Sequence, residues 1–257
     1  ILEELKIKKD EIVFYFTSIR DFGHINFRAI ELLDMLNEIH ADGAYVLPTF
    51  SYSWNNGRPF QPDESPAPEM GYISNTSIGK NGFYRTNHPN FSVNIFTKQN
   101  FILKELLENE TDTFGPSSFF YNMYIKFPNS RIVLLGGPFK DCLYRSTFIH
   151  TAQQLEGAWY RYLKRIYSPD KQQYVTQYSR YLSREEFENH SKLNKQNAIF
   201  PIIENFSEYA KDLFDEGLLQ TFNFKMGYTR QVFVGSSIDF FRTKIQINKN
   251  YGLIHVN

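Results

Sequence analysis

The apolar positions fall into short runs separated by helical repeats. Ile12–Phe16 is continuous, apolar and aromatic, the pattern of a buried strand. A loop through Thr17–Gly23 follows. Ile25, Ala29, Leu32, Leu33, Leu36 and Ile39 then recur at helical spacing, with Asn26 as the expected N-cap. Asp42-Gly43 closes the helix and Ala44–Leu47 reads as a second strand. A helix between two buried strands predicts a parallel crossover. Pro48–Arg85 has no such period and is rich in Pro and Gly, which predicts a long, ordered, functional loop.

The same reading assigns a strand at Phe91–Phe96 and helices around Ile102–Leu107 and, capped by Ser117, Phe120–Phe127. It assigns a strand at Arg131–Leu135 ending in a glycine turn. Phe148, Ala152, Leu155, Trp159 and Tyr162 predict one long helix. Residues 168–198 are polar and read as an exposed excursion. A C-terminal helix–hairpin–helix is expected over 200–247. Its first helix ends at Gly217, its hairpin turns at Met226-Gly227, and Ser236 or Ser237 caps its last helix. No internal repeat or heptad pattern appears. The expectation is one α/β domain over 1–257, a central mixed sheet flanked by helices.

Charge narrows the partners. The 28 basic and 28 acidic residues cancel, which argues against a nucleic-acid binder and against a disordered chain. Aromatic residues reach 17%, so the core is expected to be built on rings, and the Phe and Tyr content leads to the expectation of a homodimer. The lone cysteine, Cys142, cannot pair internally and suits a reducing compartment. No run is long and apolar enough to span a membrane, and Ile1–Lys9 does not read as a signal peptide; the expected location is the cytoplasm.

Common chemical signatures are missing. There is no GxGxxG after a strand, no GxxxxGK[ST], no GxSxG and no HExxH, and the six histidines are scattered. No metal is expected. Three segments stand out. Thr17-Ser18-Ile19 leads from a strand toward a helix and offers hydroxyl and N–H donors to an anion. Arg85-Thr-Asn-His88-Pro-Asn-Phe-Ser92 places a permanent cation near a histidine held extended by its proline. Ser146–Gln153 places His150 off the apolar stripe of its helix.

Taken in order, Thr17-Ser18-Ile19, Leu47-Pro-Thr-Phe-Ser51, Met70-Gly71, Arg85-x-x-His88-Pro-x-x-Ser92, Leu134-Leu-Gly136 and Thr147-Phe-Ile-His150 resemble the aminoglycoside 3-N-acetyltransferase family over nearly the full chain. The resemblance implies transfer of acetyl from acetyl-CoA to an amine of an amino sugar. It implies an α/β fold distinct from the GCN5 type. By that resemblance His88 is the general base and Thr49 lies near the thioester, where a hydroxyl or N–H would meet the oxyanion. Thr17, Ser18, Ile19, Ser51, Arg85 and Ser92 hold CoA, and Trp54, Glu69, His150 and Gln153 face the substrate.

The chain departs from the family pattern at three places. Phe16 stands where members often have His, Gln153 where they often have Glu, and Asn75 where an acidic residue is common. Less negative charge suits a polycationic antibiotic poorly. The Thr-Phe-Ile-His segment and Tyr160–Lys164 look more like members in surface-polysaccharide synthesis. An amino-sugar nucleotide or polysaccharide precursor is therefore the expected substrate. An aminoglycoside, or an inactive CoA-binding homologue, is the alternative.

Overall fold

Every side chain of Ile12–Thr17 (β1) is buried, and the sheet is built outward from it. The structure is a computed structural model. It describes residues 3–18, 28–51, 60–88, 90–107, 112–136, 148–158, 160–168, 173–181, 202–224 and 227–255. β1 pairs in parallel with Ala44–Pro48 (β2) on one side and Arg131–Leu135 (β5) on the other. The expected crossover through Ala29–Ile39 (α1) is therefore present. Phe83–Arg85 (β3) and Val93–Thr97 (β4) extend the β2 side, and Gln220–Phe224 (β9) and Gly227–Phe233 (β10) extend the β5 side, all antiparallel. The order is β3-β4-β2-β1-β5-β10-β9, a mixed seven-stranded sheet.

Period-two alternation along β1 sends its side chains to two cores. Val13 and Tyr15 meet Leu32, Leu33 and Leu36 of α1. Ile12, Phe14 and Phe16 face the helices Asn100–Leu107 (α3), Phe119–Lys126 (α4), Phe148–Leu155 (α5), Phe206–Asp215 (α6) and Val234–Ile247 (α7). Phe14 is the hub of that side, with ring centroids at 4.9 Å to Phe16, 5.6 Å to Phe148 and 6.3 Å to both Phe119 and Phe120. Aromatic pairs of this kind add ~0.5–1.5 kcal/mol each beyond area burial.

Several boundaries differ from the sequence expectation. α1 opens at Arg28, whose N–H donates to the Glu31 carboxylate at 3.0 Å, rather than at Asn26. α4 is capped by Ser118, which accepts the Tyr121 N–H at 3.2 Å, not by Ser117. α7 begins at Val234, so Ser237 lies inside it and bonds back to the Val234 carbonyl at 2.9 Å. Within the long Pro-rich stretch, Pro68–Met70 forms a 3₁₀ turn leading into Gly71–Ser77 (α2).

The largest correction concerns the helix expected through Tyr162. It ends at Leu155, and Gly157 takes φ +65°, a left-handed conformation that terminates a helix. The chain from Tyr160–Ser168 (β6) is instead a strand paired antiparallel with Gln173–Tyr181 (β7). Most of the polar excursion beyond β7 lies outside the described residues. Ile202–Glu204 (β8) pairs with Leu253–His255 (β11). That pairing places Ile203, expected in a helix, on a strand. Gly217 follows α6 with φ +70° and bonds its N–H to Phe214, as expected of a glycine stop.

Candidate active site

The carboxyl ends of the parallel strands β1 and β5 lie side by side, the usual ligand crevice of an open α/β sheet. Thr17 is buried at the end of β1, and the Ser18 N–H continues the ladder to the Leu135 carbonyl at 2.7 Å. Gly71, with φ +79°, abuts them: a Cβ there would lie 3.9 Å from the Thr17 carbonyl. The 69–71 turn therefore meets the end of β1. Glu69, next to it, is half-buried, and its buried Oε2 has no hydrogen-bond partner among the described residues. Asn75 donates to the Ala67 and Gly71 carbonyls at 2.6 and 2.8 Å and accepts the Ala67 N–H at 2.9 Å. A carboxylate could not donate to those carbonyls, so the amide suits this turn. Ile19 and Trp54 lie outside the described residues.

Thr49, Ser51, Arg85 and Ser92 converge in one buried knot. Arg85 sends Nη1 to the Pro62 and Ser65 carbonyls (2.8 and 2.5 Å) and Nη2 to the Thr49 carbonyl and Ser51 Oγ (2.7 and 3.4 Å). Its Nε reaches Ser92 Oγ at 3.1 Å. The guanidinium also lies over Phe60, 5.0 Å from the ring centroid. Burial pushes its pKa down to about 10, against the pull of Asp63, and the cation persists at neutral pH. All five N–H donors are engaged, which leaves none for a phosphate. Arg85 thus ties three segments together. The Thr49 hydroxyl donates to the Ser92 carbonyl at 3.1 Å, and Ser92 Oγ returns a bond to the Thr49 carbonyl at 2.6 Å. Any oxyanion donation by Thr49 must break that bond.

The two motif histidines meet one loop. His88 Nε2 lies 3.2 Å from Thr113 Oγ1, and the ring of His150 stands edge-on to Phe114, centroids 5.0 Å apart. The loop is held on α5 by Asp112, whose two oxygens accept from Gln154 Nε2 at 3.1 and 3.0 Å. Phe114 also packs on Phe91 at 4.9 Å and Phe120 at 5.3 Å. Sequence reasoning missed Thr113, Phe114 and Tyr209. A loop Thr-Phe pair carries no local signal, and a tyrosine at a helical apolar position reads simply as core.

The histidines differ in protonation geometry. His88 Nδ1 accepts the N–H groups of Asn90 and Phe91 at 3.2 and 2.9 Å. Nδ1 therefore carries a lone pair, and the neutral ring donates from Nε2 to Thr113. A general base needs its lone pair aimed at the substrate. That of His88 faces its own backbone, where the ring staples its loop. In the other ring, His150 Nδ1 lies 3.0 Å from Gln153 Oε1. Both residues are buried, three apart on α5. Among the described residues no group of three or more His, Cys, Asp or Glu side chains gathers to hold a metal, and no helix is long and apolar enough to cross a membrane.

The sequence profile described as Aminoglycoside 3-N-acetyltransferase matches residues 16–244. The chain belongs to that family, and it is an acetyl-CoA-dependent N-acyltransferase. Solved structures share the fold. The aminoglycoside acetyltransferase AAC(3)-IVa, a histidine-to-alanine variant in complex with a gentamicin, superposes with TM-score 0.72 at 16% identity, covering 98% of this chain and 87% of that one. YokD from Bacillus subtilis gives 0.71 at 20% identity, covering 97% and 92%. AAC-IIIb, a binary complex with CoASH, gives 0.66 at 13% identity, covering 96% and 93%. No curated protein matches the chain in sequence.

Proposed function

We propose that the protein transfers acetyl from acetyl-CoA to the amino group of an amino sugar, carried as a sugar nucleotide or polysaccharide precursor, with His150 as the general base. The observation that carries the base assignment is the 3.0 Å contact of His150 Nδ1 with Gln153 Oε1. A carbonyl oxygen only accepts, so Nδ1 holds the proton and Nε2 bears the lone pair. Nδ1 thus stays protonated while Nε2 takes and returns a proton.

The reaction balances without a covalent enzyme intermediate. The unprotonated amine adds to the thioester carbonyl, and His150 Nε2 takes the proton lost by nitrogen. The C–S bond then breaks, and the leaving thiolate takes that proton. The products are an acetamide and CoA thiol. General base assistance of this kind contributes about 10²–10⁴-fold in rate. Thr17 and Ser18, at the carboxyl end of β1, are assigned to the CoA side. Glu69, whose buried oxygen has no partner among the described residues, is assigned to the substrate amine or a hydroxyl.

Two observations support a sugar precursor. The chain has zero net charge, and position 153 beside the base is a neutral amide. A polycationic drug gains from neither. The aminoglycoside reading draws on the neighbour solved in complex with a gentamicin. The discriminating experiment follows free thiol release from acetyl-CoA with a panel of amino-sugar nucleotides and aminoglycosides. Release with the nucleotides, lost in His150→Ala and retained in a folded His88→Ala, is the expected result. Release with aminoglycosides alone overturns the substrate assignment, and full turnover by His150→Ala overturns the base.

A further inference from the structure

We propose that Tyr209 is a positioning residue which, through the amide of Gln153, sets which nitrogen of His150 is basic. For its catalytic consequence this rests on the reading of His150 as base; the tautomer itself does not depend on that reading.

The Tyr209 hydroxyl lies 3.2 Å from the Gly252 carbonyl and 3.5 Å from that of Tyr251. A carbonyl cannot donate, so the phenol proton is directed there and the phenol oxygen presents its lone pairs elsewhere. Gln153 Nε2 lies 3.2 Å from that oxygen and donates to it. The amide is thereby turned so that Oε1, not the NH₂, faces His150 Nδ1 at 3.0 Å.

Turned over, the amide would place N–H against Nδ1 and force the proton onto Nε2. It would also set Oε1 against a phenol oxygen whose proton points away. All three side chains are 5% exposed or less, so a mismatch inside this relay has no solvent to relieve it.

The relay has a reason to exist in this chain. A carboxylate at 153 has two equivalent acceptors and would select the Nδ1–H tautomer unaided. An amide has a donor end and an acceptor end, so it needs a third group to orient it. Gly252 makes the approach possible. Its φ is +66°, and a Cβ there would lie 1.8 Å from Tyr209 Cε1 and 2.5 Å from the hydroxyl. The turn before β11 thus supplies the acceptor that orders a site on α5.

The test is ¹⁵N NMR of histidine-labelled protein at a pH where the imidazoles are neutral, with His150 assigned by His150→Gln. Wild type is expected to show His150 as the Nδ1–H tautomer alone; an Nε2–H tautomer overturns the proposal without any variant. In Tyr209→Phe both tautomers are expected. There kcat falls about two- to tenfold as the competent fraction falls, with KM for both substrates unchanged. Adding Gln153→Glu to Tyr209→Phe is expected to restore the single Nδ1–H tautomer. A folded Tyr209→Phe that keeps one tautomer overturns the proposal. Should that variant not fold, Gly252→Ala, which displaces the phenol, is read the same way. If tautomers mix in Tyr209→Phe while His150→Ala retains full turnover, the positioning stands and the base assignment falls. A single tautomer in Tyr209→Phe with an inactive His150→Ala gives the converse.

Discussion

His88 and His150 touch adjacent residues of one loop, Thr113 and Phe114, yet their Nδ1 atoms are used in opposite senses. His88 Nδ1 accepts two backbone N–H groups within its own turn. His150 Nδ1 donates to an amide oxygen one helical turn away. The first arrangement closes a loop, and the second belongs to the ring proposed as the base. The comparison teaches that a histidine in a motif is assigned by what its nitrogens face, not by the motif.

The sharpest way to break the comparison is to remove each ring in turn. His150→Ala is expected to lower kcat by about 10²–10⁴-fold with binding of CoA, measured by calorimetry, unchanged. His88→Ala is expected to act on stability instead. It leaves the Asn90 and Phe91 N–H groups without their acceptor, about 1–3 kcal/mol for each group left unsatisfied, read by urea unfolding. A His88→Ala enzyme that folds as well as wild type but has lost turnover reverses the two roles.

Arg85→Met tests the scaffold beneath His88. It strips donors from three carbonyls and two hydroxyls at once, and the expected loss of stability is about 3–5 kcal/mol. An unchanged unfolding midpoint would show that the knot around β2 and β4 holds without its cation.

A third buried histidine extends the comparison to the opposite face of the sheet. His40 Nδ1 donates to the Glu11 carbonyl at 3.4 Å, and its Nε2 accepts from the Tyr15 hydroxyl at 3.0 Å. Burial lowers its pKa from 6.5 to about 4. The unfolded chain therefore binds this proton at a higher pH than the folded one. Stability is whole above pH 6.5 and declines as pH falls toward 4, by about 3 kcal/mol in total. His40→Gln is expected to flatten that part of the stability–pH curve. A slope unchanged from wild type would mean that His40 does not titrate on unfolding.

The smallest expected effect is the most specific. Gln153→Glu places a carboxylate against His150 Nδ1, which favours the imidazolium. The acid limb of the kcat/KM profile should move to higher pH, with kcat on the plateau little changed. A profile that superposes on wild type would argue against His150 as the titrating base.

Much of the fold is legible in the residues alone, because strands and amphipathic helices are written in local periods. The apolar run Ile12–Phe16, the crossover through α1 and the glycine stop at Gly217 need only near neighbours. Trp159 and Tyr162 satisfy a helical period, so the residues alone predict a helix through Tyr162 that the fold does not form. Gly157 takes a left-handed conformation, and β7 offers Tyr160–Ser168 a pairing partner instead.

The site divides along the same line. Sequence by itself determined the family resemblance, the motif residues and the amide at 153, since these are matters of identity and order. Tertiary structure alone decided that Arg85 is a tie among backbone carbonyls and that His88 and His150 flank one loop. It also decided that Tyr209 and Gly252 orient Gln153. Those contacts join residues from 20 to more than 50 positions apart. The placement of a proton on one nitrogen or the other depends on which donor or acceptor the folded chain brings within about 3 Å.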